Sequence, residues 1–228
     1  EDDGRIGIAK VSTTPGDFGA GVVQALEIAL DDHNVAPESV SLLSHATTVV
    51  TNALLENKGA RTALVATRGF RDVLELRRSA RVDLYDLYQD APAVLVPRHC
   101  RLEVTERLDA AGDIVTPLDE SDIAPIIEFV KDNDIEAVAV SLLYSFLNDA
   151  HERIIGDRLR AALPGIPVFL SSEVLPEIRE FERTSTAVVQ GYLQPLVASY
   201  AGRLRTRLAE VGYGGDTLIM QSSGGVVP

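Results

Sequence analysis

The chain has little sulfur chemistry to offer: one cysteine, Cys100, and one methionine, Met220, in 228 residues. A lone thiol closes no internal disulfide, and without a cysteine pair there is neither a zinc ribbon nor a redox motif. Basic residues are also scarce, 21 Lys and Arg against 34 Asp and Glu, which gives a formal charge of −13 and a pI near 4.7. That balance opposes a general electrostatic grip on nucleic-acid phosphates or anionic lipid. No apolar run approaches the roughly 20 residues that cross a bilayer. The start, Glu1-Asp2-Asp3, is acidic where a signal peptide is basic. The chain reads as soluble and cytoplasmic, with neither nucleic acid nor membrane as a partner. Its single methionine is internal, and residues 4–11 are patterned like the middle of a strand. The expectation is a segment of a longer polypeptide.

What is present is a core. With 46% hydrophobic residues and a mean hydropathy of +0.09, the chain can fill one large or two modest domains. Short runs of branched residues alternate with segments of helical period, the signature of an α/β protein with mainly parallel sheets and crossover helices. Strands are expected at 40–44, 62–66, 137–143, 168–170 and 217–220, and helices at 48–57 and 70–77. Ile123, Ile126, Ile127 and Val130 form one stripe of a further helix. Ile155, Leu159 and Ala162 mark another, stopped by Pro164-Gly165. From about Pro176 to Glu210 the pattern is helical, with a break or kink expected at Gly191 and Pro195. Residues 101–117 alternate like strands around the turn Asp109–Asp113, so a β-hairpin insertion, an antiparallel excursion, is expected there. A soft boundary falls near Leu118.

Motif chemistry proceeds by elimination. No Gly-Lys-Ser/Thr occurs, and Gly16-Asp17-Phe18-Gly19-Ala20-Gly21 has its glycines in the wrong order for a dinucleotide fingerprint. His151-Glu152 opens like a zinc-protease helix, but Ile155 stands where the second histidine would be, and no metal site is expected. There is no Gly-x-Ser-x-Gly elbow. What remains are polar clusters at strand ends, where ligands of open α/β sheets collect. They are Ser44-His45-Ala46-Thr47-Thr48, Ser171-Ser172-Glu173 and Gln221-Ser222-Ser223-Gly224-Gly225. Plain alternatives are a satisfied histidine at 45, helix capping at 47 and 48 and a polar turn at 221–225; beyond these clusters, Glu177, Arg179, Glu180, Glu182 and Arg183 read by default as a solvated helix face.

Residues 45–62, beginning His45-Ala46-Thr47-Thr48-Val49-Val50-Thr51-Asn52, closely resemble the hydantoinase/oxoprolinase family in its A-type subunit or N-terminal half. So do Thr67-Arg68-Gly69-Phe70-Arg71-Asp72-Val73-Leu74-Glu75 and Asp83-Leu84-Tyr85-Asp86-Leu87. The family pattern Ser-Ser-Glu-Val-x-Pro-x-x-Arg-Glu-Phe/Tyr-Glu-Arg is similar to residues 171–183, and Met220-Gln221-Ser222-Ser223-Gly224-Gly225 to a later signature. Within these motifs Ala46 stands where glycine is usual, Val82 where proline is usual, and Gln190-Gly191-Tyr192 where Asn-Ala-Tyr is common. An alanine Cβ at position 46 narrows backbone access to a ligand.

The resemblance implies one lobe of an actin/sugar-kinase-like (ribonuclease H-like) ATPase fold, with residues 1–186 as the N-terminal region and 187–228 as the start of the following domain. It implies ATP and Mg as cofactors, and a parent enzyme that opens cyclic amides of hydantoin or 5-oxoproline type by phosphoryl activation. Catalytic roles fall on His45, Arg179, Glu180 and Arg183, and Thr47, Thr48, Asn52, Gln221, Ser222, Ser223, Gly224 and Gly225 line a substrate or nucleotide cleft. The family's Asp-x-Gly-Gly-Thr phosphate loops are absent from these 228 residues, so the isolated segment is expected to be inactive and to bind Mg-ATP weakly. Partners implied are the cyclic amide and a B-type subunit or domain, with self-association open. A subunit of an ATP-dependent ketone carboxylase is the nearest rival. A non-catalytic lobe, binding the B-type subunit through the hairpin and the long C-terminal helices, is the rival of a different class.

Overall fold

Apolar residues on consecutive positions make strands that are covered on both faces, and two such runs, 63–66 and 137–140, form the centre of the Ala53–Leu196 unit. The computed structural model describes residues 6–14, 16–79, 83, 85–86, 88–89, 93–221 and 224–227. In chain order the elements are α1 (Phe18–His33), β1 (Leu42–His45), α2 (Val49–Leu55), β2 (Thr62–Thr67), α3 (Val73–Leu76), β3 (Arg101–Val104), β4 (Arg107–Leu108) and β5 (Ile114–Thr116). There follow α4 (Ile123–Asp132), β6 (Ala137–Ser141), α5 (Ala150–Ala162), β7 (Val168–Leu170), α6 (Ser171–Val174), α7 (Glu180–Glu210), β8 (Asp216–Met220) and β9 (Val226–Val227). The chain's contacts divide it into two compact units, Ala53–Leu196 and the remainder, and no division falls near Leu118.

The 53–196 unit holds a parallel sheet in the order β3-β2-β6-β7. Every residue of β2 and β6 is buried, the apolar centres of both strands together with the hydroxyl residues Thr62, Thr67 and Ser141 at their ends. The stripe Ile123, Ile126, Val130 turns α4 to the core, and Ile155 and Leu159 do the same for α5. A short antiparallel hairpin, β4–β5, is closed by Asp109, whose Oδ1 accepts the N–H groups of Ala111 at 2.9 Å and Asp113 at 3.0 Å. Gly112 supplies the positive φ of 87° that this turn needs.

The other unit has the sheet β1-β8-β9, with β1 and β8 parallel and β9 antiparallel to β8. Its core is Val23 from α1 with Tyr200, Leu204 and Leu208 from the end of α7, and Tyr213. Asp17 and Arg207 form an ion pair that joins the start of α1 to α7.

Four expectations change. Residues 101–104 belong to the parallel sheet as its edge strand, and only 107–108 with 114–116 are antiparallel. The sequence Arg-Leu-Glu-Val alternates as a hairpin arm does, so periodicity alone cannot tell which partner it pairs with. Residues 6–11 form no strand, and Ile6 and Ile8 are exposed; alternation alone makes no strand without a partner to bond. β1 and β8 are only half covered, unlike β2 and β6. Finally, α7 is one helix of 31 residues with Pro195 inside it. Gly191 serves a close approach rather than a break: a Cβ there would lie 3.1 Å from Thr62 Cγ2. The elements also end sooner than the pattern alone indicates. β6 stops at Ser141, and the expected 70–77 helix is reduced to α3, Val73–Leu76.

Candidate functional site

β2, β6 and β7 run out at Thr67, Ser141 and Leu170, and polar groups gather just past those ends. Glu152, in the first turn of α5, is fully buried. Its Oε1 accepts the Leu142 N–H at 2.9 Å and the Ser171 hydroxyl at 2.7 Å. Its Oε2 accepts the Ser172 N–H at 2.9 Å and the Ser172 hydroxyl at 2.7 Å. Arg183, in the first turn of α7, is equally buried. It donates to the carbonyls of Leu142 at 2.7 Å and Glu177 at 3.1 Å, and to Ser171 Oγ at 3.2 Å. The Leu142 residue is thus held through both its N–H and its carbonyl, and the Ser171 hydroxyl bridges the two charges. Burial pushes the Arg183 guanidinium below its ordinary pKa, and the fields of Glu180 and Glu152 oppose that. A second buried set adjoins the first. Thr67 Oγ1 donates to the Glu106 carboxylate and accepts the Leu143 N–H at 3.0 Å, and Glu106 Oε2 meets His151 Nδ1 at 2.9 Å. Ser141 and Thr184 share a hydroxyl hydrogen bond of 2.7 Å.

Beside this network opens a cleft of about 560 Å³. Phe70 and Val73 after β2, Leu108 and Val115 on the hairpin, and Leu143 and Tyr144 after β6 form its walls. The Arg107 guanidinium lies 4.7 Å over the Phe70 ring. Two non-glycine residues here have positive φ, Tyr144 at 58° and Arg179 at 87°. Such conformations cost about 1–3 kcal/mol and cluster at functional sites. A second cleft, about 740 Å³, is lined by Arg68, Arg71, Arg98 and Arg101. Each of these has a carboxylate partner: Asp122 at 3.2 Å, Glu103 at 3.6 Å, Asp72 at 3.0 Å and Glu75 at 2.9 Å respectively. The Arg98 hydrogen bond also holds the Asp72 carboxyl below its ordinary pKa.

His45 is the last residue of β1, in the other unit. Its Nε2 is 2.7 Å from the Tyr200 hydroxyl. Burial lowers the His45 pKa, which keeps the ring neutral at pH 7. Burial also raises the Tyr200 phenol, against an opposing hydrogen bond from Thr47. Thr47 Oγ1 accepts the Val49 N–H at 3.2 Å, and the Asn52 side-chain amide donates to Thr48 Oγ1 at 3.4 Å. Thr47 thus takes up a free backbone N–H at the start of α2, as its residue type favours, while the Thr48 hydroxyl meets a side chain one turn on. The parallel register sets His45 beside Ile219, so Gln221 follows the neighbouring strand end. The Gln221 N–H donates to Gly225 O at 2.7 Å and the Gly224 N–H to Gln221 O at 3.0 Å, forming the turn into β9. Ser222 and Ser223 lie outside the described residues.

The residues singled out from the sequence fall into two groups. His45, Thr47, Thr48, Asn52, Gln221, Gly224 and Gly225 belong to one unit, and Arg179, Glu180 and Arg183 to the other. Sequence reasoning gave no role to Tyr200, Thr67, Glu106 or Glu152. Thr67 opens a family motif and Glu152 follows His151, but neither position signals a buried network; Tyr200 is the first member of the stripe Tyr200, Leu204, Leu208 on α7. Among the described residues no three His, Cys, Asp or Glu side chains converge to hold a metal ion. With no glycine-rich phosphate loop in the sequence either, these residues do not by themselves fit Mg-ATP.

The profile "Hydantoinase/oxoprolinase N-terminal region" matches residues 1–163 and "Hydantoinase/oxoprolinase" matches residues 183–228. The chain belongs to this family. An uncharacterized protein of Methanocaldococcus jannaschii is 39% identical over 96% of the chain and 32% of its own length. Caprolactamase subunit alpha of Pseudomonas jessenii is 35% identical over 99% of the chain and 33% of its own length. Acetophenone carboxylase gamma subunit of Aromatoleum aromaticum is 34% identical over 98% of the chain and 33% of its own length. The crystal structure of the ATP-dependent caprolactamase from Pseudomonas jessenii superposes with a TM-score of 0.88 at 33% identity, covering 98% of this chain and 34% of that one. The chain spans about a third of the length of these relatives.

Proposed function

We propose that this chain works as part of an ATP-dependent enzyme that opens cyclic amides of hydantoin or 5-oxoproline type. In that reading it belongs to one lobe of an actin/sugar-kinase-like fold, residues 1–186 forming the N-terminal region and 187–228 opening the next domain. The observation that carries it is the likeness, along nearly the whole chain, to the ATP-dependent caprolactamase. Mg-ATP would be held by phosphate loops elsewhere in the enzyme, and when bound would activate the amide oxygen by phosphorylation. His45 is neutral at pH 7, and its ring nitrogens can both accept and donate a proton. That suits it to exchange a proton with a ligand polar group at the end of β1. Arg183 is fully buried and gives three of its N–H donors to Leu142, Glu177 and Ser171, which suits it to position the turn after β6 rather than to touch substrate. A B-type subunit or domain is the expected partner, in keeping with the subunit names of the relatives.

A ketone carboxylase is the second reading, favoured by the 34% identity to acetophenone carboxylase gamma subunit. ATP cleavage by the full-length enzyme with its companion subunit separates the two. Turnover dependent on 5-oxoproline, hydantoin or caprolactam, and indifferent to bicarbonate, supports the amidase. Turnover that needs both a ketone and bicarbonate overturns it.

A further inference from the structure

We infer that the cleft walled by the β4–β5 hairpin binds a small carboxylic acid with a compact apolar ring, its carboxylate held by Arg107. The cleft, about 560 Å³, lies within the range of small-ligand sites. Phe70, Leu108, Leu143 and Val115 give it apolar walls, which favour a hydrocarbon body over a sugar or a nucleotide base edge. Its charge comes from three residues. Asp109 is committed to the hairpin turn through two backbone N–H groups, and Glu180 faces Arg183 at 4.0 Å. Arg107 is different: among the described residues no carboxylate lies within 4.0 Å of it, and its guanidinium stacks on Phe70. The arginines of the neighbouring 740 Å³ cleft are all paired, so a half-buried guanidinium without a partner is not the habit of this surface.

Stacking covers one face of a guanidinium and leaves its edge N–H groups free, the geometry that takes a carboxylate through two parallel hydrogen bonds. The Phe70 ring shields one face of the guanidinium from water and so strengthens that contact. Asp109 and Glu180 border the cleft as well, and their charge repels a dianionic phosphate more strongly than a monoanion. The strained Tyr144 at the cleft, with φ of 58°, is the kind of backbone feature found where a surface is built for a ligand. This site is independent of the reaction proposed above, and its test reads binding alone.

The test is fluorine NMR or calorimetric titration of the full-length protein with 4-fluorobenzoate and with 4-fluorobenzamide, its uncharged analogue. The expected result is saturable binding of the carboxylate about tenfold or more tighter than the amide, the margin typical of a charge-assisted contact. Arg107→Gln should remove that preference and leave amide binding and the melting temperature unchanged. Arg107→Lys, which keeps the charge but not the fork, should fall between. Val115→Trp, at a hairpin position 61% exposed and therefore tolerant of size, should fill the cleft and weaken both probes. A preference that survives Arg107→Gln, equal affinities for the two probes, binding unaffected by Val115→Trp, or no binding up to millimolar concentration would each overturn the assignment.

Discussion

Replacing Glu152 by alanine tests the buried network most directly. The carboxylate accepts four hydrogen bonds, from Leu142 N–H, Ser171 Oγ, Ser172 N–H and Ser172 Oγ, at 2.7–2.9 Å. The two hydroxyls can turn elsewhere, Ser171 toward Ser145 Oγ at 3.1 Å and the half-buried Ser172 toward water. The Leu142 N–H cannot, and a buried donor without an acceptor costs about 1–3 kcal/mol. Arg183, 0% exposed, also loses one of the two carboxylates that oppose its burial. Removing one member of a buried charged set costs about 3–5 kcal/mol in comparable cases. The contributions overlap, so Glu152→Ala should lose about 3–5 kcal/mol, a large fraction of the 5–15 kcal/mol typical of a domain. Glu152→Gln keeps one acceptor but turns an N–H₂ toward two donors, and should lose about 2–3 kcal/mol. Urea unfolding followed by far-UV circular dichroism measures both, and is the practical probe because the chain has no tryptophan. The double variant Glu152→Leu with Arg183→Met should lose less than the sum of the single variants, because it leaves no bare charge. A loss under about 1 kcal/mol for Glu152→Ala, or additive losses in the double variant, would refute the account.

His45→Ala in the full-length enzyme should lower turnover about 100-fold with little change in melting temperature if the ring serves a ligand; a stability loss of about 1–3 kcal/mol with unchanged specific activity would mean that its job is to satisfy Tyr200. Acid should weaken the unit that contains β1. The folded state holds the His45 pKa below its ordinary value, so the unfolded chain binds the extra proton first. The contribution is fully present above the ordinary histidine pKa near 6.5, is lost as pH falls through the lower folded value, and should be reduced by His45→Gln in a pH series of unfolding curves. Gly59→Ala would drive a Cβ into the ring of Tyr192, itself 6% exposed, and should cost about 1–3 kcal/mol or more by thermal unfolding; a neutral result would mean that the ring moves freely.

The parallel strands were legible because branched apolar runs leave few alternatives; β2 and β7 fall where the pattern put them, and β6 starts there but ends two residues sooner. Positions 101–104 were misread because the polar/apolar alternation of Arg-Leu-Glu-Val suits a hairpin arm, whereas the fold buries Arg101 and Val104 and pairs the strand with β2. His45 was legible as a polar residue ending a strand, but its partner Tyr200 stands 155 positions away on a helix, and no local pattern joins them. Glu106, His151 and Glu152 were hidden for a different reason. A charged residue's composition and helical position predict solvent, and only the assembled fold reveals donors enough to hold it inside. Arg183 was found by its motif, yet what it does depends on Leu142, Glu177 and Ser171, none of which its own sequence neighbourhood could have specified.

The grip on Leu142 has a consequence for how the 53–196 unit comes apart. Glu152 arrives on α5, Arg183 on α7, Ser171 on the exit from β7, and Leu142 on the exit from β6. Any intermediate that docks some of these elements and not the others must hide a charge with no counterpart, which is dearer than leaving all of them in water. The network therefore penalises half-assembled states more than it rewards the finished one. It should make α5, α7, β6 and β7 open together, so that their amides exchange hydrogen through a single shared event rather than by separate fraying.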